Sequence, residues 1–412
     1  MALNQPRRRI PDPRDRNARL AWLDGWWDRS VVHGAKVAVV GVGALGNEIL
    51  KNLAMLDFRS ITIIDRDTVE MSNLSRSVLF RPRHEGVSKV SAAVETLADL
   101  NPDVEVTAVH ADVVHEAGLG YLREQDVIIA GLDSRRVRWW LNRHARALGV
   151  PWVEGATQGP HGHAMAFLPE EGPCYECGFG PEDWRALDDV ASCRQLAVDA
   201  AAHGRVATSP TTASVIAAAQ VHLAMDVLHG RPVVGGRGML VNLGAPDLMI
   251  SGRREDPDCE AHVSYGPVVE TPLRARTATV ADLLAAAVPV VGEPATVELR
   301  WDSVWEFDCS GCGGVSSVRR ARGLVRQSAA ICPKCGDERR PVFRHRLDAR
   351  DGDLLLAAAG IPPRDVVEVR GPAGSRWFEL TGDRDAERTD HETRYRVSEG
   401  TAARGAGTDR AR

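Results

Sequence analysis

The sequence predicts an α/β protein with a Rossmann-like, mostly parallel sheet that carries helices on both faces, followed by a C-terminal zinc-ribbon module. The first observation is a β-branched run at 37–40 that leads into three glycines at G-x-G-x-x-G spacing. The second is that strand-like and helical segments alternate up to about residue 154, which is typical of a parallel sheet covered by helices. The third is that six of the eight cysteines form Cys-x-x-Cys pairs. In a chain of cytosolic type, this spacing indicates zinc rather than disulfides.

The glycine-rich turn predicts a nucleotide-binding site. Gly41 permits the tight turn, Gly43 lets a phosphate approach the backbone, and Gly46 lets the next helix pack closely on the strand. The start of that helix presents free N–H groups and the positive end of its dipole to the phosphate. Asp65, nineteen residues after Gly46, ends the next predicted strand, where an acid can bind a ribose hydroxyl. Glycines that serve only a tight turn are the alternative.

Four polar residues after the turn indicate phosphate chemistry rather than dinucleotide binding alone. They are Asn73, Arg76, Lys89 and Asp133. Cations neutralise a triphosphate, an amide binds a phosphate oxygen, and a carboxylate holds magnesium. Taken singly, each residue would be interpreted as a solvated surface group, so the hypothesis depends on the joint pattern.

Length and charge limit the classes of protein that fit. The 412 residues suggest two or three domains. The net charge of −5 and the pI near 6.2 give no overall basic footprint for nucleic acid. We see no signal peptide and no apolar run near the roughly 18 residues of a membrane span. We therefore expect a soluble, cytoplasmic protein.

One stretch resembles a known family. The segment DRDTVEMSNLSR at 65–76, with Lys89 and the GLDS motif around Asp133, resembles the ubiquitin-activating enzyme-like adenylyltransferases of THIF type. The match covers about residues 16–262. The resemblance implies a homodimeric or pseudodimeric domain that uses ATP and magnesium to adenylate the C-terminal glycine of a small β-grasp protein, ubiquitin-like or sulfur-carrying. A downstream conjugating enzyme or a sulfur donor is the further partner implied.

The resemblance also implies roles for individual residues. Asp65 would bind the ribose; Asn73, Arg76 and Lys89 the phosphates; and Asp133 the magnesium. RNARL at 16–20 resembles the family's RYxRQ. Arg19 is therefore the candidate for an arginine that completes the partner subunit's site, with Arg16 in reserve. Leu20 and Ser77 stand where the family usually has glutamine.

Cys193 is the candidate acceptor thiol implied by the resemblance. In the family, a cysteine on the loop that crosses the site can attack the acyl-adenylate or form a persulfide bond. Residues 181–209 lack a strong period and are predicted to be a mobile loop. The neighbouring Arg194 could lower the pKa of the thiol. An idle loop cysteine is the alternative.

Two structural zinc sites are predicted. The first set resembles the family's zinc site, with a histidine for the usual last cysteine, and comprises Cys174, Cys177, Cys259 and His262. The second has zinc-ribbon spacing in its own right and comprises Cys309, Cys312, Cys332 and Cys335. Four protein ligands leave neither site an open position for catalysis. The ribbon is not general to the family and is interpreted as an interaction module. No basic surround is evident, so we favour protein over nucleic acid as its ligand.

The expected domains follow from these assignments: a disordered arm at 1–15, the adenylation domain at 16–262, a linker with a short helix at 263–294, a ribbon and small α/β region at 295–380, and a disordered tail at 381–412. Three alternatives to the activating enzyme stay open. The same fold could adenylate a peptide or a tRNA base. The chain could instead be an NAD-dependent oxidoreductase, or an inactive module that presents a peptide on its ribbon.

Overall fold

The computed structural model describes residues 12, 14–23, 25–191, 208–245, 247–384 and 392–396. Within these residues the strands are β1 (Lys36–Val40), β2 (Ser60–Ile64), β3 (Glu105–Val109), β4 (Val127–Ala130), β5 (Trp152–Gln158), β6 (His161–Phe167), β7 (Arg237–Asn242), β8 (Asp247–Gly252), β9 (Val269–Thr271), β10 (Thr296–Asp308), β11 (Val315–Ala321), β12 (Arg340–Leu347), β13 (Val366–Gly371), β14 (Gly374–Leu380) and β15 (Glu392–Arg396). The α-helices are α1 (Arg29–Gly34), α2 (Ala44–Met55), α3 (Lys89–Leu100), α4 (Gly120–Arg123), α5 (Arg135–Leu148), α6 (Pro181–Ala191), α7 (Pro210–Leu228) and α8 (Val280–Val291).

A nine-stranded sheet organises the first domain, in the order β15-β3-β2-β1-β4-β5-β6-β7-β8. The five neighbouring strands β3, β2, β1, β4 and β5 run parallel, as the alternation of strands and helices predicts. Each connection between them passes through a helix or helical turn, so their carboxyl ends meet at one edge. The strands β6, β7 and β8 then continue the sheet in antiparallel pairing, with α6 and α7 in the connection between β6 and β7. The predicted Rossmann-like α/β class is confirmed, and the sheet is mixed rather than mostly parallel.

Both faces of this sheet are buried. Side chains of β1 alternate between two clusters, with Val37 and Val39 on one face and Ala38 and Val40 on the other. Helix α7 packs on the first face. By length and composition it could cross a membrane, but half of its most apolar window is buried in the domain. Its apolar character is therefore accounted for as that of a core helix.

The second domain is built on a six-stranded sheet with the order β11-β10-β13-β14-β9, in which β12 also pairs with β10. Strand β10 joins its two parts. The beginning of β10 pairs with β13, and its end lies between β11 and β12 in the ribbon. Helix α8 packs against β13 and β14.

The segment expected as a linker, 263–294, belongs to this second domain. Strand β9 pairs with β14, and Val280, Leu283 and Ala287 of α8 are fully buried in its core. The change in composition near residue 263 therefore marks the approach to a second core. A linker would have few buried contacts, whereas this segment supplies one strand and one helix of the fold.

The tail expected to be disordered, 381–412, contains strand β15. This strand pairs antiparallel with β3 and extends the sheet of the first domain. Tyr395 packs on the core, and the buried Glu392 accepts a hydrogen bond of 2.6 Å from Tyr121 Oη. The strand depends on these long-range contacts, which local composition does not encode.

The two domains are in close contact. Buried Arg300 and Asp365 of the second domain form an ion pair of 2.9 Å, and Asp365 accepts a hydrogen bond from Leu119 N in the first. At Gly118 and Gly120 a Cβ atom would lie within 2.6 Å of the Arg364 carbonyl oxygen. Glycine at these two positions lets the backbones approach.

Candidate active site

The glycine-rich turn lies between β1 and α2 and is in close contact with the turn that follows β4. Gly41 has a positive φ of 92°, a conformation that favours glycine. A Cβ on Gly46 would lie 1.9 Å from the Gly41 carbonyl oxygen, whereas one on Gly43 would have only a single neighbour, at 3.9 Å. Gly41 and Gly46 therefore serve the packing, and Gly43 leaves its backbone open to a ligand.

Asn47, which the sequence analysis did not single out, holds this turn in place. Its amide donates hydrogen bonds to the carbonyl oxygens of Val42 and Gly43 and accepts one from Leu79 N. The side chain is fully buried. A polar residue directly after the third glycine, at the start of an apolar helix, is the signal that could have identified it.

Asp65 and Lys89 meet at the carboxyl edge of the sheet, as predicted. The Asp65 carboxylate accepts hydrogen bonds from Val42 N at 2.6 Å and Asp67 N at 2.7 Å. Lys89 Nζ lies 2.8 Å from the carboxylate of Asp67, another residue that was not singled out. The three side chains thus form a cluster directly beside the glycine-rich turn.

Electrostatics keep the Lys89 ammonium of this cluster charged. Burial raises the pKa of the Asp65 carboxyl, and Lys89 opposes that shift. Burial also works against the Lys89 ammonium, but the surrounding carboxylates outweigh it and raise the pKa of Lys89. Those carboxylates belong to Asp65, Asp67 and Asp133. Lys89 therefore stays protonated at neutral pH, as a phosphate ligand must.

Asn73 and Arg76 lie on the segment between β2 and α3. Asn73 is buried, and its Oδ1 accepts a hydrogen bond of 3.1 Å from Glu70 N at the start of a 3₁₀ turn, Met71–Asn73. Arg76 Nη1 donates to the Ser72 carbonyl at 2.8 Å. Both side chains are thus occupied in shaping this turn, and neither contacts Asp65 or Lys89 directly.

Asp133 is exposed on the loop after β4, and Lys89 lies within its electrostatic reach. Buried Arg138 holds this loop, because its Nη2 donates to the Leu132 carbonyl at 2.5 Å. Arg138 is supported in turn by Glu154, whose pKa is lowered despite burial by His163 and by Arg138 itself. Arg138 is therefore a positioning residue.

A family comparison identifies the protein family of the domain that contains this edge of the sheet. A model of the ThiF family matches residues 16–261, more than half of the chain. The chain belongs to the ThiF family. The family recognition made from 65–76, Lys89 and Asp133 is confirmed.

Two relatives and one solved structure illustrate the match. The chain is 37% identical over 147 residues to SUMO-activating enzyme subunit 2 of Dictyostelium discoideum, covering 35% of this chain and 22% of that protein. It is 37% identical over 173 residues to the NEDD8-activating enzyme E1 catalytic subunit of the same organism, covering 38% and 39%. The chain therefore spans well under half the length of these relatives. A crystal structure of Escherichia coli MccB with AMPCPP and MccA superposes with a TM-score of 0.50 at 19% identity, covering 61% and 76%, which supports the fold.

The carboxyl edge of the sheet, where Asp65 and Lys89 meet, is called the nucleotide edge below. Arg19 of the ThiF domain lies far from this edge of its own chain. Arg16 donates to the Leu100 carbonyl, and buried Asn17 bonds to Asp57. Leu100 ends α3, the helix that begins at Lys89, so the helix separates the two ends by about 17 Å. Arg19 is exposed at the amino end of the sheet.

Cys193, the predicted acceptor thiol, lies outside the described residues. The expected loop at 181–209 begins instead with helix α6.

The first four predicted metal ligands come together in the ThiF domain. The sulfur of Cys174 lies 3.7 Å from that of Cys177 and 3.6 Å from that of Cys259. His262 Nε2 lies 3.2 Å from Cys177 Sγ, and all four ligand atoms fall within 4.8 Å of one another. A tetrahedral zinc with bonds of about 2.3 Å requires sulfur separations of about 3.8 Å. The geometry therefore fits zinc, with His262 as the fourth ligand.

The second set forms the same kind of site in the ribbon. Sulfur separations are 3.4 Å for Cys309 and Cys335 and 3.8 Å for Cys312 and Cys332, and the four atoms again lie within 4.8 Å. Four thiolates suit zinc and leave no open position. Both sets fit structural zinc.

Proposed function

We propose that the chain adenylates the C-terminal carboxylate of a small β-grasp protein with ATP. The observation that carries the proposal is the Lys89 cluster, in which one half-buried cation lies among three carboxylates beside an open glycine turn in a ThiF-family domain. The relatives are named SUMO- and NEDD8-activating enzyme subunits, and here that similarity supports the substrate class. A cytoplasmic location belongs to the same proposal.

The chemistry is a nucleotidyl transfer. An oxygen of the partner's carboxylate attacks the α-phosphorus of ATP. The bond to the bridging oxygen breaks, and pyrophosphate leaves with the electron pair. Lys89 and Arg76 stabilise the charge that develops on the phosphate oxygens, and Asp65 orients the ribose. The backbone at Gly43 approaches the phosphates without steric hindrance.

Magnesium fits the same edge. Asp133 offers an exposed carboxylate next to Lys89, and hard oxygen ligands are those that magnesium prefers. Bound there, magnesium would neutralise phosphate charge. Asn73 and Arg76 would have to turn from their present backbone partners to contact the phosphates that we assign to them.

A partner surface is available at the open end of the sheet. Strand β8 exposes three consecutive apolar side chains, Leu248 at 60%, Met249 at 53% and Ile250 at 60%. An exposed apolar edge strand is suited to strand addition by another chain. We assign this edge to the β-grasp partner. The acyl group would then pass from AMP to the thiol of Cys193, or to an external sulfur donor.

A homodimer explains the position of Arg19. Because Arg16 and Asn17, just before Arg19, are held at the end of α3 that lies away from Lys89, Arg19 would serve a nucleotide site in a second subunit. We therefore propose that two copies exchange Arg19 across their interface.

The test is isotope exchange between pyrophosphate and ATP with candidate β-grasp proteins that end in Gly-Gly. We expect exchange that depends on one such protein and disappears when its last glycine is removed. Exchange driven by a short peptide, or by RNA, would instead support the alternative substrates. No exchange with any of these substrates, together with NAD binding, would support the NAD-dependent oxidoreductase. Membership of the ThiF family disfavours that alternative.

A further inference from the structure

The ribbon concentrates positive charge that the chain-wide balance conceals. Residues 301–347, which include the part of β10 that lies in the ribbon, contain eight arginines and one lysine but five acidic residues, Asp302, Glu306, Asp308, Asp337 and Glu338, in a chain whose net charge is −5. The expectation of a protein ligand was based on the absence of a basic surround, and this local count removes that basis. A strong local asymmetry of charge points to a polyanionic partner.

Several of these cations have no acidic partner. Arg344 pairs with Asp351 at 2.7 Å, and Arg346 pairs with Glu298 at 2.9 Å. Four other exposed arginines form no ion pair with any described residue: Arg319, Arg320, Arg326 and Arg340. We call these four residues the ribbon arginines. Asp308 lies opposite Arg340 on the neighbouring strand, but no described carboxylate is within ion-pair distance of any of the four, so an external anion can pair with them.

The ribbon arginines extend over a surface wider than one small anion. Arg319 of β11 and Arg344 of β12 both stack on Trp305 of β10, and Arg340 lies on the same face of β12 as Arg344. Four residues along the strand separate Arg340 from Arg344 by about 13 Å. A single phosphate cannot contact both. A linear polyanion can.

Aromatic rings hold neighbouring guanidinium groups in place. Arg319 and Arg344 stack on Trp305 from β11 and β12, at 5.4 and 4.5 Å from its ring centre. Arg339 stacks on Phe307 at 4.6 Å. Stacking orients the planar guanidinium of Arg319 and leaves its N–H edge for phosphate oxygens, whereas Arg339 donates to Ser316 Oγ and to the Ala329 carbonyl, and Arg344 pairs with Asp351.

The surface continues towards the nucleotide edge of the ThiF domain. A Cβ on Gly323, in the turn after β11, would lie 2.5 Å from the His115 ring. His115 contacts Asp112, which pairs with Arg66 next to Asp65. Arg136 of α5 faces Arg322 of the ribbon, and burial together with this like charge lowers the pKa of Arg136. Positive charge therefore runs from the ribbon to the start of α5.

The composition of the surface favours nucleic acid over a folded acidic protein. Stable protein interfaces have an apolar centre. The large apolar side chains exposed in the described ribbon are only Val315 and Ile331. Interfaces with nucleic acid are more polar and much more positive.

We propose that the ribbon arginines bind the phosphate backbone of a nucleic acid. The inference does not depend on the adenylation chemistry, because none of the four lies at the nucleotide turn.

The experiment uses the full-length, zinc-loaded chain and fluorescent oligonucleotides about 20 nucleotides long, as single-stranded RNA, single-stranded DNA and duplex DNA. Anisotropy titrations at about 50 and about 200 mM potassium chloride give the affinity and its salt dependence. The test variant is R320Q/R326Q/R340Q. The control R254Q/R274Q/R376Q removes the same charge from exposed arginines outside the ribbon.

We expect at least one oligonucleotide to bind, with an affinity that falls as salt rises. The test variant should bind at least about tenfold more weakly, with a shallower salt slope, and the control within about twofold of wild type. R320K/R326K/R340K should keep most of the affinity, which separates loss of charge from loss of fold. The proposal is overturned by no binding at the lower salt, by equal loss in the control, or by equally strong competition from polyglutamate, which would indicate an acidic protein.

Discussion

The two metal centres differ in what their ligands join. In the ThiF domain, Cys174 and Cys259 are 85 positions apart in the chain, so the metal would connect the segment after β6 to the segment after β8. In the ribbon, Cys309 and Cys335 are 26 positions apart, and the metal would close a local turn pair. Cross-linking distant segments constrains more of the unfolded chain than closing a short loop. One centre would therefore support the ThiF domain, and the other would support the ribbon.

The largest expected effect is loss of the first centre. Cys259→Ser should lower the zinc content by one ion per chain and destabilise the ThiF domain by more than about 4 kcal/mol, in the range of severe substitutions. Cys332→Ser should also remove one ion but leave adenylation within about twofold of wild type. Elemental analysis and thermal unfolding measure both. Retention of two ions in either variant would remove that ligand assignment.

The next prediction distinguishes a residue that takes part in adenylation from a lysine elsewhere in the fold. Lys89→Ala should lower adenylation by about a hundredfold or more, because a fixed cation on the transferring phosphate is lost. Lys36→Ala, at the exposed start of β1, is the matched control and should be neutral. Adenylation is measured by pyrophosphate exchange. Equal rates for Lys89→Ala and wild type would contradict the assignment.

Much of the nucleotide edge could be predicted from sequence, because its signals are local. The glycine spacing and Asp65 lie within thirty residues, and the cysteine pairs are chemically unambiguous. The missed features depend on distant partners. Strand β15 is polar and forms because β3 offers an edge. Asp67 contributes to the site through its ion pair with Lys89. The positive charge of the ribbon is seen only when the residues of the ribbon are counted separately from the rest of the chain.

A smaller effect tests the shared site. Arg19→Ala and Lys89→Ala chains should each be inactive, yet mixing them should restore about one quarter of wild-type activity. Half of randomly mixed dimers are heterodimers, and each contains one intact site of two, as expected for a two-fold arrangement. Subunit exchange is verified with differently tagged chains. No recovery after proven exchange would exclude a shared site.

The smallest effect concerns Asp112, which holds His115 at the contact between the domains. Burial would raise the pKa of the Asp112 carboxyl, but His115 and Arg66 lower it to about 2. A lowered pKa contributes stability above the unfolded value near 3.9, and this stability is lost as pH falls towards 2. Asp112→Asn should therefore lower the free energy of unfolding at pH 7 by about 2 kcal/mol. The difference from wild type should shrink below about pH 4.

Denaturant unfolding measures this difference, with Asp353→Asn, on the exposed surface, as the control. Comparison between variants at each pH cancels the release of zinc by acid. A difference that is constant from pH 7 to pH 2 would show that Asp112 contributes no ionic stabilisation.

The most direct measurement is pyrophosphate exchange by the wild-type chain, with and without a β-grasp protein ending in Gly-Gly. Mass spectrometry of the partner accompanies it. The account predicts exchange only when the chain and the β-grasp protein are both present. It also predicts that the β-grasp protein gains the mass of one AMP. A partner that binds the chain but gains no AMP, with no exchange although both zinc ions are in place, would contradict the proposal that this ThiF domain adenylates a protein carboxylate.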